Sequence, residues 1–379
     1  MTLLLNDEQR MLKSAARDFF GARLPVAALR RLRDEDDADG FDRAAWREMA
    51  DLGWAGVLVP EAWGGSDFGY TGLGQVLEEA GRTLAASPLV STALIAAPLL
   101  ATCGSTAQKD ALLPALATGE RLCALALEEG PRHGPATVAL RATRDGRGWV
   151  LHGEKTFVLD GHVADDIAVV ARTAGVPGDE HGLSLFLLRG ETPGLTRTRT
   201  RMVDSRNAAR LVFDEVRLAD DALLGAADRA FAPLDRVLDG ARAGLAAEML
   251  GGMVEVFERT LDYLKFRQQF GVPIGSFQAL KHRAAQMFCE IELTRSAVLA
   301  ALAALDAGDA AAPLLASLAK ARAGETFELV SNEAVQMHGG IGMTDAAEIG
   351  FFLKRARVAQ QAFGDASFHR ARYATFRGF

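Results

Sequence analysis

Apolar residues recur at three- and four-residue steps near the start of this 379-residue chain, a spacing that lines one face of an α-helix. Asn6 and Asp7 can cap a first such helix, because short polar side chains accept hydrogen bonds from free helical N–H groups. A second helix is predicted over residues 41–52 and a third over residues 73–81. Residues 1–120 are therefore predicted to form a helical domain.

The pattern changes near Arg121, where short apolar runs separated by Gly, Pro, Asp and Asn replace the helical spacing. Such runs are typical of β-strands joined by turns, and several in succession indicate a barrel or a sandwich. Residues 148–159 are interpreted as a hairpin with Gly153 in its turn. The other strand candidates of this predicted domain, residues 121–228, are residues 122–127, 167–171, 183–188 and 211–218.

Helical spacing returns near Phe231 and continues almost to the end of the chain, with abundant alanine. Long helices of this kind favour an antiparallel bundle, which is predicted here for residues 229–379. Ser276 is expected to cap the second of these helices. The predicted helices lie near residues 233–267, 277–306, 313–338, 345–363 and 366–376.

Several polar residues are interpreted as solvated. The charged run of residues 30–39 is predicted to be a loop or a helix end, and Glu78 and Glu79 are assigned to a solvated helix face. The histidines show no spacing typical of metal ligands, so no metal site is predicted and exposed loop positions are expected for them. These histidines are His133, His152 and His162.

Composition narrows the class of protein. The chain is 49% hydrophobic, which is enough for large cores without disulfides, and its formal net charge is −7. No basic stripe is present, so a nucleic-acid partner is not expected. Cys103, Cys123 and Cys289 are scattered along the chain, which is typical of reduced core cysteines in a cytoplasmic protein.

Two further features bear on localisation. The first ten residues lack the basic region and the apolar core of a secretory signal. Residues 83–108 carry no charge, but Pro88 and Pro98 interrupt them and small residues dilute their hydrophobicity. A membrane-spanning helix needs about 20 predominantly apolar residues, so buried helices are predicted here and no membrane span.

Residues 263–278, YLKFRQQFGVPIGSFQ, place an arginine, an aromatic ring and a glutamine around one tight corner between two helices. Arg267 supplies a planar fork of donors suited to phosphate, and Phe270 offers a face to a flat ring. An ordinary interhelical turn with a surface arginine is the alternative. A second stretch favours the binding site, because residues 336–342, QMHGGIG, end another helix in a glycine-rich turn.

Together the two stretches resemble the acyl-CoA dehydrogenase family, and the resemblance extends over essentially the whole chain. It implies an α+β protein with the acyl-CoA dehydrogenase fold: an N-terminal helical domain, a central β-barrel and a C-terminal four-helix-type bundle. It also implies FAD as the cofactor, since in the family the R-x-x-F-G corner and the Q-x-x-G-G turn hold the ADP half of FAD for the neighbouring subunit. The residues matching these motifs and their flanks are Arg267, Phe270, Gln278, Gln336, Gly339 and Gly340.

The resemblance weakens at the positions that face the flavin ring in the family. Threonine, serine and tryptophan are usual there, whereas this chain has Leu127, Phe157 and Leu159. Backbone donors could still meet the flavin edge, so these three positions stay candidate cofactor contacts.

Two residues of the first bundle helix match the substrate site of the family. The aspartate matching Asp239 meets the CoA adenine, and the arginine matching Arg242 lies near the catalytic carboxylate. Their spacing of three residues puts them on one helical face. A capping aspartate and a surface arginine are the alternative interpretations.

The catalytic base is the main departure from the family. A buried glutamate normally removes the α proton of the thioester while hydride leaves the β carbon for flavin N5. The two positions that carry it in the family hold Ala241 and Phe363 here, or Gly364 if the alignment slips by one residue. Asp365 is the only nearby acid, and capping of the following helix is its alternative role.

The resemblance therefore implies FAD-dependent α,β-dehydrogenation of an acyl-CoA thioester, with electrons passed to an acceptor such as an electron-transfer flavoprotein. Within the family, the chain is most similar to subunits without the usual glutamate, such as the small subunit of pimeloyl-CoA dehydrogenase. A non-catalytic subunit that completes the FAD site of a heteromeric dehydrogenase is thus the alternative function. The expected protein partner is a second copy or a paralogous subunit, and the acyl chain stays open.

Overall fold

The computed structural model describes residues 4–379, which form two compact units. The first unit contains the described chain up to Asp34, then Tyr70–Ala85 and Arg242–Phe379. The second unit contains Glu35–Gly69 and Ala86–Ala241. The predicted α+β class is confirmed, whereas the division into three domains after residues 120 and 228 remains a prediction.

The described chain begins and ends with helical regions. Asn6 caps the first of them as predicted, because its side chain accepts the Gln9 N–H while the Gln9 side chain accepts the Asn6 N–H. The predicted C-terminal helices agree with the structure to within about four residues at each end. The helices are α1 (Asp7–Arg23), α2 (Val26–Asp34), α3 (Arg43–Asp51), α4 (Gly69–Arg82), α5 (Ala97–Cys103), α6 (Thr106–Ala117), α7 (Phe231–Phe266), α8 (Gln278–Asp306), α9 (Ala312–His338), α10 (Ile349–Gln361) and α11 (Ala366–Phe376).

The second unit is built around a mixed sheet. Its strands are β1 (Cys123–Ala126), β2 (Arg141–Asp145), β3 (Gly148–Leu159), β4 (Asp166–Arg172), β5 (Leu183–Arg189), β6 (Leu195–Arg201), β7 (Asn207–Ala219) and β8 (Leu223–Leu224). Their order is β6-β7-β3-β2-β4-β5-β8, and β1 adds to β4 in parallel. The core of the sheet contains Trp149, whose ring meets the ring of Phe186 edge-on with centroids 5.2 Å apart. β2 and β6 are strands that the sequence pattern did not predict.

The prediction of a hairpin turn at Gly153 is wrong. β3 runs without a turn through this residue, and the chain reverses instead around Gly146, between β2 and β3. Gly153 marks an irregularity at which the pairing of β3 with β7 shifts register. Its φ of +139° and the 3.0 Å that would separate a Cβ there from Leu140 Cα explain why glycine is needed.

The predicted cap at Ser276 is also wrong. The Ser276 hydroxyl donates to the carbonyl of Pro273 at 2.7 Å, which closes the corner before α8 instead of capping the helix. Phe277 stands at the N-cap of α8 and makes no side-chain cap hydrogen bond.

Glu78 and Glu79 do not lie on a solvated face, since only 6% and 1% of these residues are exposed. The carboxylate of Glu78 accepts from Lys13 at 2.5 Å and from Arg295 at 3.0 Å, and Glu79 accepts from Arg17 at 3.1 Å. A carboxylate buried on α4 is stable there because cations from α1 and α8 replace water.

The charged run of residues 30–39 is partly a helix end, as predicted, because α2 extends to Asp34. It is less solvated than predicted. Arg30 and Arg33 both pair with Asp345, at 2.5 and 2.7 Å, and both guanidinium groups lie over the ring of Phe351.

The uncharged stretch within residues 83–108 forms buried helix, as predicted. Leu89–Ala96 is a π-helical segment whose residues are all buried, and it continues into α5. Among the described residues, no helix is long and apolar enough to cross a membrane. The prediction of core cysteines fails for Cys289, which is exposed.

Candidate functional site

The corner after α7 is a short two-stranded hairpin in which Phe270 is fully presented to solvent. Gln268–Gln269 (β9) pairs with Val272–Pro273 (β10), so Phe270 and Gly271 are the two residues of its turn. Their φ angles are +56° and +80°, as a tight hairpin turn requires. A phenylalanine in this conformation is strained, and 90% of the residue is exposed. A strained backbone that displays an apolar ring to solvent is typical of a binding position.

The glycine-rich stretch forms the end of α9 and leaves open space around its backbone. Gly339 has a φ of +64°, and its N–H bonds back to the carbonyls of Val335 and Gln336. A Cβ at Gly339 or Gly340 would meet no atom within 4 Å. Gln336 and both glycines are exposed, so a ligand can approach this backbone closely.

The structure brings the corner and the glycine turn together through two residues that the sequence analysis missed. The ring of Tyr263, in the last turn of α7, stacks on the ring of His338 with centroids 4.3 Å apart and an interplanar angle of 22°. The Tyr263 hydroxyl donates to the carbonyl of His338 at 3.3 Å. The two motifs, distant in sequence, therefore lie side by side in the first unit.

These residues fit the ADP half of FAD. Arg267 and Gln278 are exposed at the corner, where they can donate to phosphate oxygens. Phe270 supplies the apolar surface that a nucleotide requires, and the open backbone at Gly339 and Gly340 allows close approach.

The positions expected to face the flavin ring lie next to one another in the second unit. Leu127 follows β1 and is buried, whereas Phe157 is 45% exposed with a φ of +52° at a second register shift in β3. The N–H of Thr156 donates to the carbonyl of Glu128 at 2.7 Å, which joins the two segments. Leu159 ends β3 half-buried.

A buried lysine organises the segment beside Leu127. The Lys155 ammonium donates to the carbonyl of Leu127 at 2.9 Å and to the Glu129 carboxylate at 2.7 Å. Glu129 in turn accepts the N–H groups of Ala139 and Leu140, at 2.7 and 3.0 Å. Burial lowers the pKa of Lys155 to about 8.

The residues after β1 line a cavity of about 320 Å³ that includes Leu127 and Thr137. His133 follows the lining residue Arg132 and is buried, contrary to the prediction of a solvated position. Its side chain is 2% exposed, and its Nδ1 is 2.5 Å from the Glu128 carboxylate. His152 is exposed as predicted but lies within β3 and not in a loop, and His162 is partly buried, contrary to the prediction. Within residues 4–379, no three His, Cys, Asp or Glu side chains are grouped as metal ligands would be.

Asp239 and Arg242 are both buried in α7, with 2% and 0% exposed. The alternative interpretation of Arg242 as a surface residue is therefore wrong. Its guanidinium carbon lies 5.7 Å from the centre of the Phe368 ring, within the range of a cation–π contact. The predicted roles of both residues at an acyl-CoA site stay predictions.

The turn between α10 and α11, where one family position for the base falls, contains no glutamate. Phe363 and Gly364 adopt φ angles of +57° and +104°, and Gly364 is buried. The Asp365 carboxylate accepts the N–H of Phe368 at 2.8 Å and so caps α11. The other family position, Ala241, is a buried alanine.

A second buried lysine, which the sequence analysis missed, holds this turn. The Lys320 ammonium donates to the carbonyls of Gln360 and Gly364 at 3.1 and 2.9 Å. Burial and, after it, the positive charge of Arg242 lower the pKa of Lys320 to about 7, against the opposing effect of Asp365. The turn thus has the buried Lys320 on its carbonyls and the capping carboxylate of Asp365 at the start of α11, whose Phe368 ring contacts Arg242.

Comparison with known proteins agrees with this architecture. Three acyl-CoA dehydrogenase family descriptions match the chain: the N-terminal domain over residues 6–120, the middle domain over residues 125–216 and the C-terminal domain over residues 232–376. The acyl-CoA dehydrogenase FadE12 of Mycobacterium tuberculosis is 33% identical over 323 residues, which cover 84% of this chain and 83% of that protein.

Solved structures give the same result. Butyryl-CoA dehydrogenase from Megasphaera elsdenii superposes with a TM-score of 0.91 and 27% identity, and all of both chains is covered. A chain of the ChsE4–ChsE5 complex from Mycobacterium tuberculosis superposes with a TM-score of 0.89 and 25% identity, covering 100% of this chain and 99% of that one. The predicted acyl-CoA dehydrogenase fold is confirmed, and the chain belongs to the acyl-CoA dehydrogenase family.

Proposed function

We propose that this chain takes part in the FAD-dependent α,β-dehydrogenation of an acyl-CoA thioester, as an acyl-CoA dehydrogenase acting on a CH–CH bond. The observation that carries the proposal is the pairing of the exposed corner at Arg267 and Phe270 with the open turn at Gly339 and Gly340. When bound, FAD supplies the hydride acceptor for the β carbon. The electrons then pass to an acceptor such as an electron-transfer flavoprotein.

The chain's own residues bind and orient the cofactor in this proposal. Arg267 directs its guanidinium to the pyrophosphate, since a planar fork of donors matches phosphate oxygens. Phe270 packs against the nucleotide, and Gln278 and Gln336 donate to it from the ends of two helices. The backbone at Gly340 approaches the ADP moiety of the FAD of a neighbouring subunit, so self-association or a paralogous subunit is part of the proposal.

Three residues of the second unit would offer the flavin ring a more apolar surface than is usual in the family. Leu127, Phe157 and Leu159 offer hydrocarbon and a phenyl ring, so backbone N–H groups must supply any hydrogen bond to the ring. On α7, the buried Asp239 and Arg242 are proposed to serve the CoA thioester, because both charges lie in the interior and not on the surface.

A second candidate function is favoured by the observation that Asp365 acts as a helix cap. With alanine at position 241 and phenylalanine at position 363, the chain then has no carboxylate at either family position for the base. In this alternative the chain is a non-catalytic subunit that completes the FAD site of a glutamate-bearing partner. The similar ChsE4–ChsE5 complex is an assembly of two different chains.

The FAD assignment is tested by the cofactor content of the purified protein and of Arg267→Ala. Removing a charge-assisted phosphate contact costs about 1.5–3 kcal/mol, or roughly a 10- to 150-fold rise in the Kd for FAD. Lys265→Ala is the matched control, because Lys265 is an exposed cation two residues away that pairs with Asp262. Equal FAD retention by Arg267→Ala and the control would reject the assignment.

A further inference from the structure

We propose that Tyr263 and His338 are positioning residues for the cofactor: their stacked pair fixes the distance between the corner at Arg267 and the glycine turn at Gly339. The inference rests on the proposed function, since it concerns the site that would hold the ADP half of FAD. Tyr263 lies outside the R-x-x-F-G motif, and His338 occupies a variable position of the Q-x-x-G-G motif; His338 is buried and Tyr263 is half-buried.

Tyr263 makes two contacts with the same residue. Its ring stacks on the His338 ring at 4.3 Å, and its hydroxyl donates to the His338 carbonyl at 3.3 Å. That carbonyl is at the C-terminal end of α9, where the last four carbonyls of a helix lack partners within the helix. The Tyr263 hydroxyl therefore gives one of these carbonyls a hydrogen-bond donor. This bond links the C-terminal end of α7 to that of α9.

His338 is held in place from its own helix. Its Nδ1 is 2.7 Å from the Ala334 carbonyl, and since a carbonyl only accepts, Nδ1 carries the hydrogen in this bond. The turn that follows folds back closely on this last turn of α9. A Cβ at Gly342 would lie 2.9 Å from the Val335 carbonyl oxygen and 3.0 Å from His338 Cβ. A shift of His338 therefore moves the backbone at Gly339.

Tyr263 is linked to the corner in the same way. Its carbonyl accepts the Arg267 N–H at 2.8 Å, and the Arg267 carbonyl accepts the Ile274 N–H at 2.8 Å. These two bonds connect the last turn of α7 to the hairpin that carries Phe270. The stack is thus the contact through which the position of one motif determines the position of the other.

The Tyr263–His338 stack affects the geometry of the candidate FAD site more than the stability of the helical bundle. α7, α8 and α9 are each 27 residues or longer, so one aromatic contact at their ends is a small part of their packing. Arg267, Phe270 and Gln336 are exposed and gain no support from the core. Without the stack, their relative placement depends on the packing of the long helices and on two exposed turns.

The test measures FAD binding to the apoprotein of wild type, Tyr263→Leu and His338→Ala, together with the rate of FAD release and the Tm of each apoprotein. We expect Tyr263→Leu and His338→Ala each to weaken FAD binding about tenfold or more, with faster release. In these variants the site is no longer pre-formed, so binding must also order the two turns. The double variant should bind FAD about as weakly as Tyr263→Leu, because that single variant already removes both the ring stack and the hydroxyl contact with His338.

Conservative variants separate positioning from folding. His338→Phe and Tyr263→Phe keep a stacked ring, and both are expected to bind FAD within about threefold of wild type. The control is Phe257→Leu, which removes another aromatic contact of α7, the pair of Phe257 with Phe288 on α8 at 6.4 Å. It should leave FAD affinity unchanged while lowering the Tm of the apoprotein about as much as Tyr263→Leu does.

Two results would overturn the inference. One is wild-type FAD affinity in Tyr263→Leu, and the other is an equal loss of affinity in Tyr263→Leu, His338→Phe and Phe257→Leu, which would assign the pair to general packing. If Tyr263→Leu does not fold, His338→Ala against His338→Phe gives the same comparison. Absence of FAD binding by wild type would overturn the proposed function itself, a result distinct from both.

Discussion

At the scale of single residues, Asp160 is a buried carboxylate in a left-handed conformation. Its φ is +53°, it is 8% exposed, and its carboxylate accepts from the Ser91 hydroxyl at 2.5 Å. Burial raises its pKa from 3.8 to about 6 in spite of the hydrogen bonds from Ser91 and Asn207. At neutral pH the folded protein therefore holds a charged group in a place that favours the neutral one.

This raised pKa predicts a pH-dependent gain in stability for Asp160→Asn. The folded state binds more protons than the unfolded state between about pH 3.8 and 6, so wild-type stability falls as the pH rises through that window. Asparagine tolerates the left-handed conformation and keeps an acceptor for Ser91. The variant should gain about 1–3 kcal/mol over wild type at pH 7, by the free-energy equivalent of the shift, and little at pH 4.

Urea unfolding at both pH values measures the effect, with Asp214→Asn as control because Asp214 is 81% exposed in its side chain. A stability difference between Asp160→Asn and wild type that is the same at pH 4 and pH 7 would contradict the assigned pKa.

At the scale of elements, Asp365 has two candidate roles, that of a helix cap and that of a displaced catalytic base. The carboxylate accepts the Phe368 N–H at 2.8 Å at the start of α11. Asp365→Ala should lower the free energy of unfolding by about 1 kcal/mol, whereas Asp365→Asn keeps an acceptor of equal capping strength. Since both variants remove the charge near Lys320, their difference in denaturant unfolding isolates the cap. Equal stability of the two variants would show that the hydrogen bond contributes nothing.

The long C-terminal helices were predictable from sequence because their signal is local, whereas α2 and α6 were missed. The prediction of residues 313–338 for α9 differs from Ala312–His338 by one residue, since apolar spacing alone defines that helix. β6, with the sequence LTRTRTR, has no apolar alternation and was missed. The arginines of β6 bond to residues distant in the sequence: Arg197 donates to the Ala164 carbonyl at 2.7 Å, and Arg201 pairs with Asp36 at 2.5 Å.

The same limit applies to the candidate site. The motifs at Arg267 and Gly339 are contiguous runs, so they could be found in the sequence. Tyr263 and His338 are 75 residues apart, and Glu79 meets its cation Arg17 across 62 residues. No local sequence pattern predicts such a contact, because its two residues come together only when the helices have folded. Buried charges and stacked rings at helix ends are therefore the features that required the structure.

At the scale of the whole molecule, the chain carries the two family motifs proposed to hold the ADP half of FAD but no carboxylate at either family position for the base. Ala241 and Phe363 cannot take a proton, and the Asp365 carboxylate caps the start of α11. Lys320 and Arg242 add positive charge near the turn between α10 and α11, which does not replace a carboxylate in a fixed position. Cofactor binding and proton removal are therefore proposed to be separable in this protein.

We accordingly expect the protein purified alone to reduce its flavin slowly, or not measurably, when mixed anaerobically with acyl-CoA thioesters. A positioned general base typically contributes 10²–10⁴ in rate, so its absence should appear as slow loss of flavin absorbance at normal thioester affinity. Fast bleaching by the protein alone would reject the role of a non-catalytic subunit. If that bleaching disappeared in Asp365→Asn but persisted in Asp239→Asn, Asp365 would be a displaced base. Bleaching that returns only on addition of a glutamate-bearing paralogue would instead support the heteromer, because the missing carboxylate then comes from the second chain.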